Sequence, residues 1–306
     1  FEHVVAIADA ARFLSLGEPG AVRGRREEGA DGSPGGANAL QLDGMQYVEV
    51  ENHADVNLTG SATMELWFKV DRFADTWMPL VYKGNGNSNQ RTYTLWINNS
   101  GYVHLTTGDG GNQFINTPNG SIQAGVWYHL AATLDRGAGE MKLYLDGQLA
   151  ESGTLRTSAA VSNALPLLLG KSQEDYIPFE GELSQFRLWN TVRTANEIAA
   201  GQNAVLAGNE AGLKLLLKLD AASGQVVSDS SVGAHHGQVK HLLGAVPFVV
   251  AGRIDQPGQV QRYTFTLTED KRVYFDSLTN NNQLTWTLTG PRGIVSSGRN
   301  FTNSDS

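Results

Sequence analysis

Residues 127–147, WYHLAATLDRGAGEMKLYLDG, constrain this chain more than any other stretch. Two apolar runs, 127–134 and 141–145, flank a glycine-rich link at 136–139. In the second run Met141, Leu143 and Leu145 alternate with Lys142 and Tyr144. A period of two buries one face of a strand and leaves the other to water. The glycine-rich link makes the pair a hairpin. Asp146-Gly147 then reverses the chain again.

The same alternation recurs along the chain. ALQLDG and QYVEV read as short strands around the turn at Asp43-Gly44, with Leu40, Leu42, Val48 and Val50 on the buried side. Residues 63–70 put Met64, Leu66 and Phe68 on one face and Glu65, Trp67 and Lys69 on the other. Tyr93, Leu95 and Ile97 form the next inward set, followed by Val103 and Leu105. Turn clusters at 84–89, 98–101 and 108–112 separate them. Many short strands at intervals of roughly 8–12 residues predict an all-β jelly-roll sandwich. One helix is predicted, opened by a capping box in which Thr194 caps the Glu197 amide and Glu197 reaches back. Ile198 pins that helix to the sandwich and Gly201 stops it.

Residues 1–16 fit either a short helix or a strand. A charged cluster at 23–28 and the linker-like GADGSPGG at 29–36 set a boundary near Ala37. The chain therefore divides into an N-terminal segment and linker (1–36), a jelly roll (37–246) and a partial second β-sandwich (252–306). The last has Tyr263, Phe265 and Leu267, Val273 and Phe275, and Leu284, Trp286 and Leu288 in alternation. About 55 residues are few for a two-sheet core, so that sandwich is expected to continue past Ser306.

Composition removes several function classes. Charged residues are 18 % of the 306 and hydrophobic residues 41 %, which is globular rather than disordered. No apolar run approaches the ~18–20 residues of a membrane-spanning helix. The chain starts at Phe1 without a basic leader, so a mature or excised piece is expected. Cysteine is absent, which excludes disulfides and thiolate metal sites and suits a bacterial exported protein. A net charge of −8 argues against nucleic acid and is compatible with cations or neutral glycans.

Six segments in order resemble the laminin-G-like, concanavalin-A-like jelly rolls of bacterial surface proteins. They are ALQLDGMQYVEV (39–50), TMELWFKV (63–70), VWYHLAATLD (126–135), MKLYLDGQL (141–149), FEGELSQFRLWNTVRTANEI (179–198) and NEAGLKLLLKLDAASGQVVSDSS (209–231). The resemblance implies two packed antiparallel sheets and carbohydrate binding, adhesion or calcium. Residues 252–306 resemble the opening half of a pre-peptidase C-terminal-type β-sandwich. Such pairs imply modules along large secreted or cell-surface proteins.

Calcium takes six to eight oxygen ligands from turn-rich loops, and Asp43 and Asp229 are the candidate ligands. Both also fit Asx turns made to their own backbone. The resemblance leads one to expect an aspartate where this chain has Ser184, a poorer ligand. For a glycan, an exposed aromatic ring stacks on sugar C–H groups while amides bond the hydroxyls. Trp96 is out of phase with the core set and is expected on the outer face of its strand. His104 is its cross-strand neighbour, Trp77 lies near a loop, and Asn89 and Gln113 supply amides. The competing reading has Trp96 packed under a loop. Trp67, Trp127 and Trp189 are assigned to packing. Glu180 and Glu182 share one strand face, where paired carboxylates serve some glycosidases, but a solvated face explains them better. His235-His236 lacks a third zinc ligand in the sequence and reads as a turn.

These observations point to a non-enzymatic binding or adhesion module at the cell surface or outside the cell. Its expected partners are a glycan or an extracellular protein, with neighbouring modules of the same chain. The alternatives are a spacer or assembly module of a surface filament or layer, and an accessory domain of a secreted hydrolase.

Overall fold

The computed structural model describes residues 2–8, 39–174, 176–219, 226–242, 261–267, 285–290 and 293–300. The chain forms two compact units, Gly20–Leu242 and the combination of Phe1–Pro19 with Leu243–Ser306.

The larger unit is the predicted sandwich. One sheet has strand order β11-β10-β9-β4-β13-β14, with β2 also paired to β13. Its strands are β2 (Leu40–Asp43), β4 (Ala62–Val70), β9 (Trp127–Asp135), β10 (Glu140–Leu145), β11 (Gln148–Thr154), β13 (Glu180–Trp189) and β14 (Leu213–Leu217). The other has order β15-β16-β3-β12-β5-β6-β7-β8. It comprises β3 (Gln46–Val50), β5 (Trp77–Gly84), β6 (Arg91–Asn98), β7 (Tyr102–Gly108), β8 (Asn112–Asn116), β12 (Leu167–Leu169), β15 (Val226–Val227) and β16 (Gly237–His241). Every pairing is antiparallel.

Alternation fixes the core. Met64, Leu66 and Phe68 join Leu130, Ala132, Leu183 and Leu188 on the inner side of the seven-stranded sheet. They meet Val48, Val50, Tyr93, Leu95, Ile97, Val103 and Leu105 from the eight-stranded sheet in one buried cluster. Each such aliphatic side chain contributes about 1.5–3 kcal/mol on burial. The predicted hairpin forms with Met141 opposite Leu134 and Leu143 opposite Ala132. The next turn has Asp146 at φ 50 and Gly147 at φ 77, the mirror-image geometry that matches strand twist in two-residue hairpins.

The alternation misleads on the outer face of the seven-stranded sheet. Glu65 is fully buried, Trp67 is 6 % exposed and Tyr144 is 4 % exposed. The cause is helix α1 (Ala195–Gly201), which starts with the full Thr194–Glu197 capping box. Its Ile198 packs on Ala131 and Tyr144.

The smaller unit contains an antiparallel sheet of order β17-β1-β18-β19. Its strands are β1 (Glu2–Ala8), β17 (Gln261–Leu267), β18 (Thr285–Gly290) and β19 (Gly293–Asn300). Residues 2–8 are thus a strand, and that strand pairs with both β17 and β18. The sequence division placed these residues in separate segments, because strand pairing is long-range and alternation does not name the partner. The linker at 29–36 and the Val273–Phe275 alternation lie outside the described residues.

Candidate functional site

Strands β5 to β8 carry an aromatic strip on the outer face of the eight-stranded sheet. Register sets Trp96 opposite His104 and His104 opposite Asn116. One row away, Asn98 lies opposite Trp77 and Tyr102. The Trp77 ring meets Tyr102 edge-on at 5.8 Å and His104 at 5.0 Å, and His104 meets Phe114 at 5.3 Å. Phe114 is 55 % exposed, and Trp77 and Tyr102 are half-buried. The four rings form one continuous run of ring contacts, Tyr102–Trp77–His104–Phe114.

Amides border it. Asn116 Oδ1 sits 2.6 Å from His104 Nδ1. Exposed Asn112 accepts from Thr106 Oγ1 at 2.5 Å, and its N–H donates to Asn89 Oδ1 at 2.9 Å. Burial drives the His104 pKa down to about 4, with the Asn116 hydrogen bond offsetting part of the fall. The ring is therefore neutral at pH 7 and stacks without a charge.

Trp96 is on the outer face but is 1 % exposed, so it cannot itself stack on a sugar. Tyr82 and Tyr176 pack edge-on against it at 5.6 and 5.5 Å, and the Arg91 guanidinium lies 4.9 Å from its ring. Glu174 holds that guanidinium through both oxygens at 2.7 and 2.8 Å and accepts from Tyr82 Oη at 3.1 Å. The chain after β12 thereby roofs Trp96 and leaves an open recess of about 460 Å³ lined by Gly86, Gln173, Glu174 and Tyr176.

Of the sequence-predicted residues, Trp77 and His104 come together, Asn89 borders the strip, and Trp96 lies buried beside it in the cluster on which Trp77 packs. Gln113 does not join them. It is 8 % exposed, and its Oε1 accepts from Arg156 N–H at 2.5 Å. With Phe114 outward in β8, its neighbour must point the other way. Sequence reasoning missed Phe114 and Tyr102. Ile115 and Val103 are inward, so alternation turns their preceding neighbours Phe114 and Tyr102 outward.

The aspartates have local roles. Asp43 Oδ1 accepts from Met45 N–H at 3.0 Å. Asp229 is 5 % exposed. Its Oδ1 accepts from Leu216 and Ser231 N–H groups at 2.8 Å, and its Oδ2 from Ser231 Oγ at 2.7 Å and His235 N–H at 2.8 Å. The group able to hold a metal among the described residues is His53, Asp55 and His235. Burial, then His235, holds His53 below the ordinary imidazole range. Burial pulls Asp55 upward, but the hydrogen bonds from Lys214 and His235 outweigh it and hold the carboxyl low. Glu180 pairs with Arg72 at 2.7 Å and Glu182 with Lys69 at 2.5 Å on the seven-stranded sheet.

Residues 42–199 match the Laminin_G_3 family model, described as the concanavalin A-like lectin/glucanases superfamily. The chain is 27 % identical over 202 residues to the sushi, von Willebrand factor type A, EGF and pentraxin domain-containing protein 1 of Rattus norvegicus, covering 60 % of this chain and 5 % of that protein. It is 26 % identical over 145 residues to C-reactive protein 1.4 of Limulus polyphemus, across 44 % of this chain and 59 % of that one. A solved structure of a candidate carbohydrate-binding protein from Bacteroides ovatus shares the fold with a TM-score of 0.55 at 21 % identity, over 72 % of this chain and 61 % of the other. The chain thus spans less than two thirds of each of these proteins.

Proposed function

Because the chain belongs to the concanavalin A-like lectin/glucanases superfamily, we propose that it is a non-catalytic glycan-binding module of an exported protein. The observation that carries this reading is the Tyr102–Trp77–His104–Phe114 strip on an open sheet face. Aromatic faces match the apolar C–H side of a sugar ring, and the bordering amides of Asn112 and Asn116 can bond ring hydroxyls. The superfamily name covers both lectins and hydrolases, and the acidic groups favour the former. Glu174 is committed to Arg91 and Tyr82, Glu65 is sealed under α1, and Glu180 and Glu182 are each tied to a cation. No helix among the described residues is long and apolar enough to cross a membrane.

A glycan array followed by calorimetric titration of each hit tests the proposal. Trp77→Ala and Phe114→Ala are expected to weaken binding by about fivefold to tenfold, roughly 1–1.4 kcal/mol for a lost stacking ring. Hits that both variants bind as well as the parent overturn it. A CaCl2 arm tests Asp43 and Asp229. With four hydrogen bonds already on Asp229, we expect affinity to be the same with calcium and with chelator.

A further inference from the structure

We infer that His53, Asp55 and His235 form a binding site for a divalent cation of the zinc class. The potential ligand atoms of the three side chains all lie within 4.8 Å of one another. His53 and Asp55 are in the loop after β3, and His235 is in the loop before β16. The site is at the opposite edge of the eight-stranded sheet from the aromatic strip and does not depend on it.

Both loops are held by hydrogen bonds that keep these side chains close together. The first closes through Val56 N–H and Asn57 N–H onto His53 O at 3.2 and 3.1 Å. In the second, Asp229 Oδ2 takes the His235 N–H at 2.8 Å, and the Asp229 N–H donates to His236 Nδ1 at 3.1 Å. The two imidazoles stack at 3.3 Å with their planes 26° apart.

The donor set selects the cation. Two imidazole nitrogens and one carboxylate suit zinc and its neighbours, whereas calcium takes oxygen ligands. His235 Nε2 lies 3.2 Å from Asp55 Oδ2. Zinc bonds of about 2.0–2.1 Å give a tetrahedral edge of about 3.3–3.4 Å, so this pair is already near the spacing of two ligands on one ion. A second, independent observation points the same way. His53 Nε2 is buried and has no hydrogen-bond partner, and such orphaned atoms are costly and uncommon. A metal bond through Nε2 would fill that position.

Four interactions oppose loading and define how it proceeds. His235 Nε2, hydrogen-bonded to Asp55 Oδ2, must pass its proton to Nδ1 before it can ligate, and the stacked rings must tilt apart for both in-plane lone pairs to meet one ion. Lys214 Nζ lies 3.0 Å from Asp55 Oδ1, which leaves Oδ2 as the coordinating oxygen. His53 Nδ1 accepts from Asp55 N–H at 3.2 Å. Coordination through Nε2 puts the ring proton on Nδ1, so this bond is given up. Water completes the coordination sphere.

The test is calorimetric titration of chelator-stripped, tag-free protein with ZnCl2, with CaCl2 in parallel and Co2+ as an optical probe. One saturable zinc site is expected, together with visible Co2+ bands and no competition from calcium. His53→Ala and His235→Ala are each expected to weaken zinc by at least about tenfold, the smallest loss seen even for residues that only support a ligand. Their melting curves without metal report whether they fold. Lys214→Met removes the competing ammonium and is expected to tighten zinc, which a merely damaged fold would not do. Absence of saturable zinc binding, zinc binding that both histidine variants leave unchanged, displacement of zinc by calcium, or no tightening in Lys214→Met overturns the assignment.

Discussion

On the seven-stranded sheet the outward residues Glu65, Trp67, His129 and Tyr144 lie beneath α1 and the chain around it, whereas on the eight-stranded sheet Trp77, Tyr102 and Phe114 keep solvent access. Under the helix, Glu65 Oε1 accepts from Arg193 Nη1 at 2.8 Å, while Arg187 Nη1 lies 3.8 Å from its other oxygen and donates to Gly201 O at 2.8 Å. Trp67 Nε1 donates to Gln202 O at 3.0 Å. Polar groups there tie the helix to the sheet. On the open face, Tyr102, Trp77, His104 and Phe114 contact one another ring to ring, and Trp77 also packs against the Trp96 cluster. One outer face has become a second core, and the other keeps exposed and half-buried rings at its surface.

The comparison breaks most sharply at Glu65. Glu65→Ala leaves Arg187 and Arg193 facing each other without their carboxylate, and loss of one partner of a buried ion pair costs about 3–5 kcal/mol. Urea unfolding should show that loss with glycan affinity of the folded fraction unchanged. An undiminished midpoint would mean that the covered face is not held by charge.

Acid separates the two faces next. Burial, then Arg187 and Arg193, lowers His129 from 6.5 to about 3. The unfolded state therefore binds the proton first as pH falls below 6.5. Stability is full above that value and declines toward about 3, by up to about 1.4 kcal/mol per pH unit within the window. His104, lowered to about 4, adds a decline of the same sign over a narrower range. Denaturant midpoints from pH 7 to acid should follow this slope, and His129→Gln should flatten it. An identical slope in His129→Gln would remove His129 from the account.

Smaller again is the helix cap. Thr194 Oγ1 accepts from Glu197 N–H at 3.3 Å, and Glu197 Oε2 accepts from Thr194 N–H at 2.7 Å. Thr194→Ala should cost about 1 kcal/mol. Phe114→Ala should be the mildest for stability, within about 0.5 kcal/mol for an exposed side chain, while weakening glycan binding. A large drop in melting temperature for this variant would make Phe114 part of the packing and erase the contrast between the faces.

Much of the scaffold was legible along the chain. The Met141–Leu143 alternation, the Asp146-Gly147 turn and the Thr194–Glu197 box each act within a few residues, so a local pattern suffices to place them. The proposed binding face was only half legible. The alternation put Trp77 and His104 there and passed over Phe114, and of the two readings of Trp96 the structure bears out packing under a loop. Period two tells which side of a strand a residue takes, and Trp96 did take the outer side. It does not tell what lies over that side.

The sequence by itself determined the inner set of each strand, the turns and the capped helix α1, because these follow from the pitch of the backbone and from hydrogen bonds to near neighbours. Only the tertiary structure decided that Glu174 and Tyr176 roof Trp96, that α1 closes the opposite face, and that Asp55 meets a histidine 180 residues away. Those outcomes depend on contacts between segments distant in the chain, and no local spacing encodes which distant segment arrives.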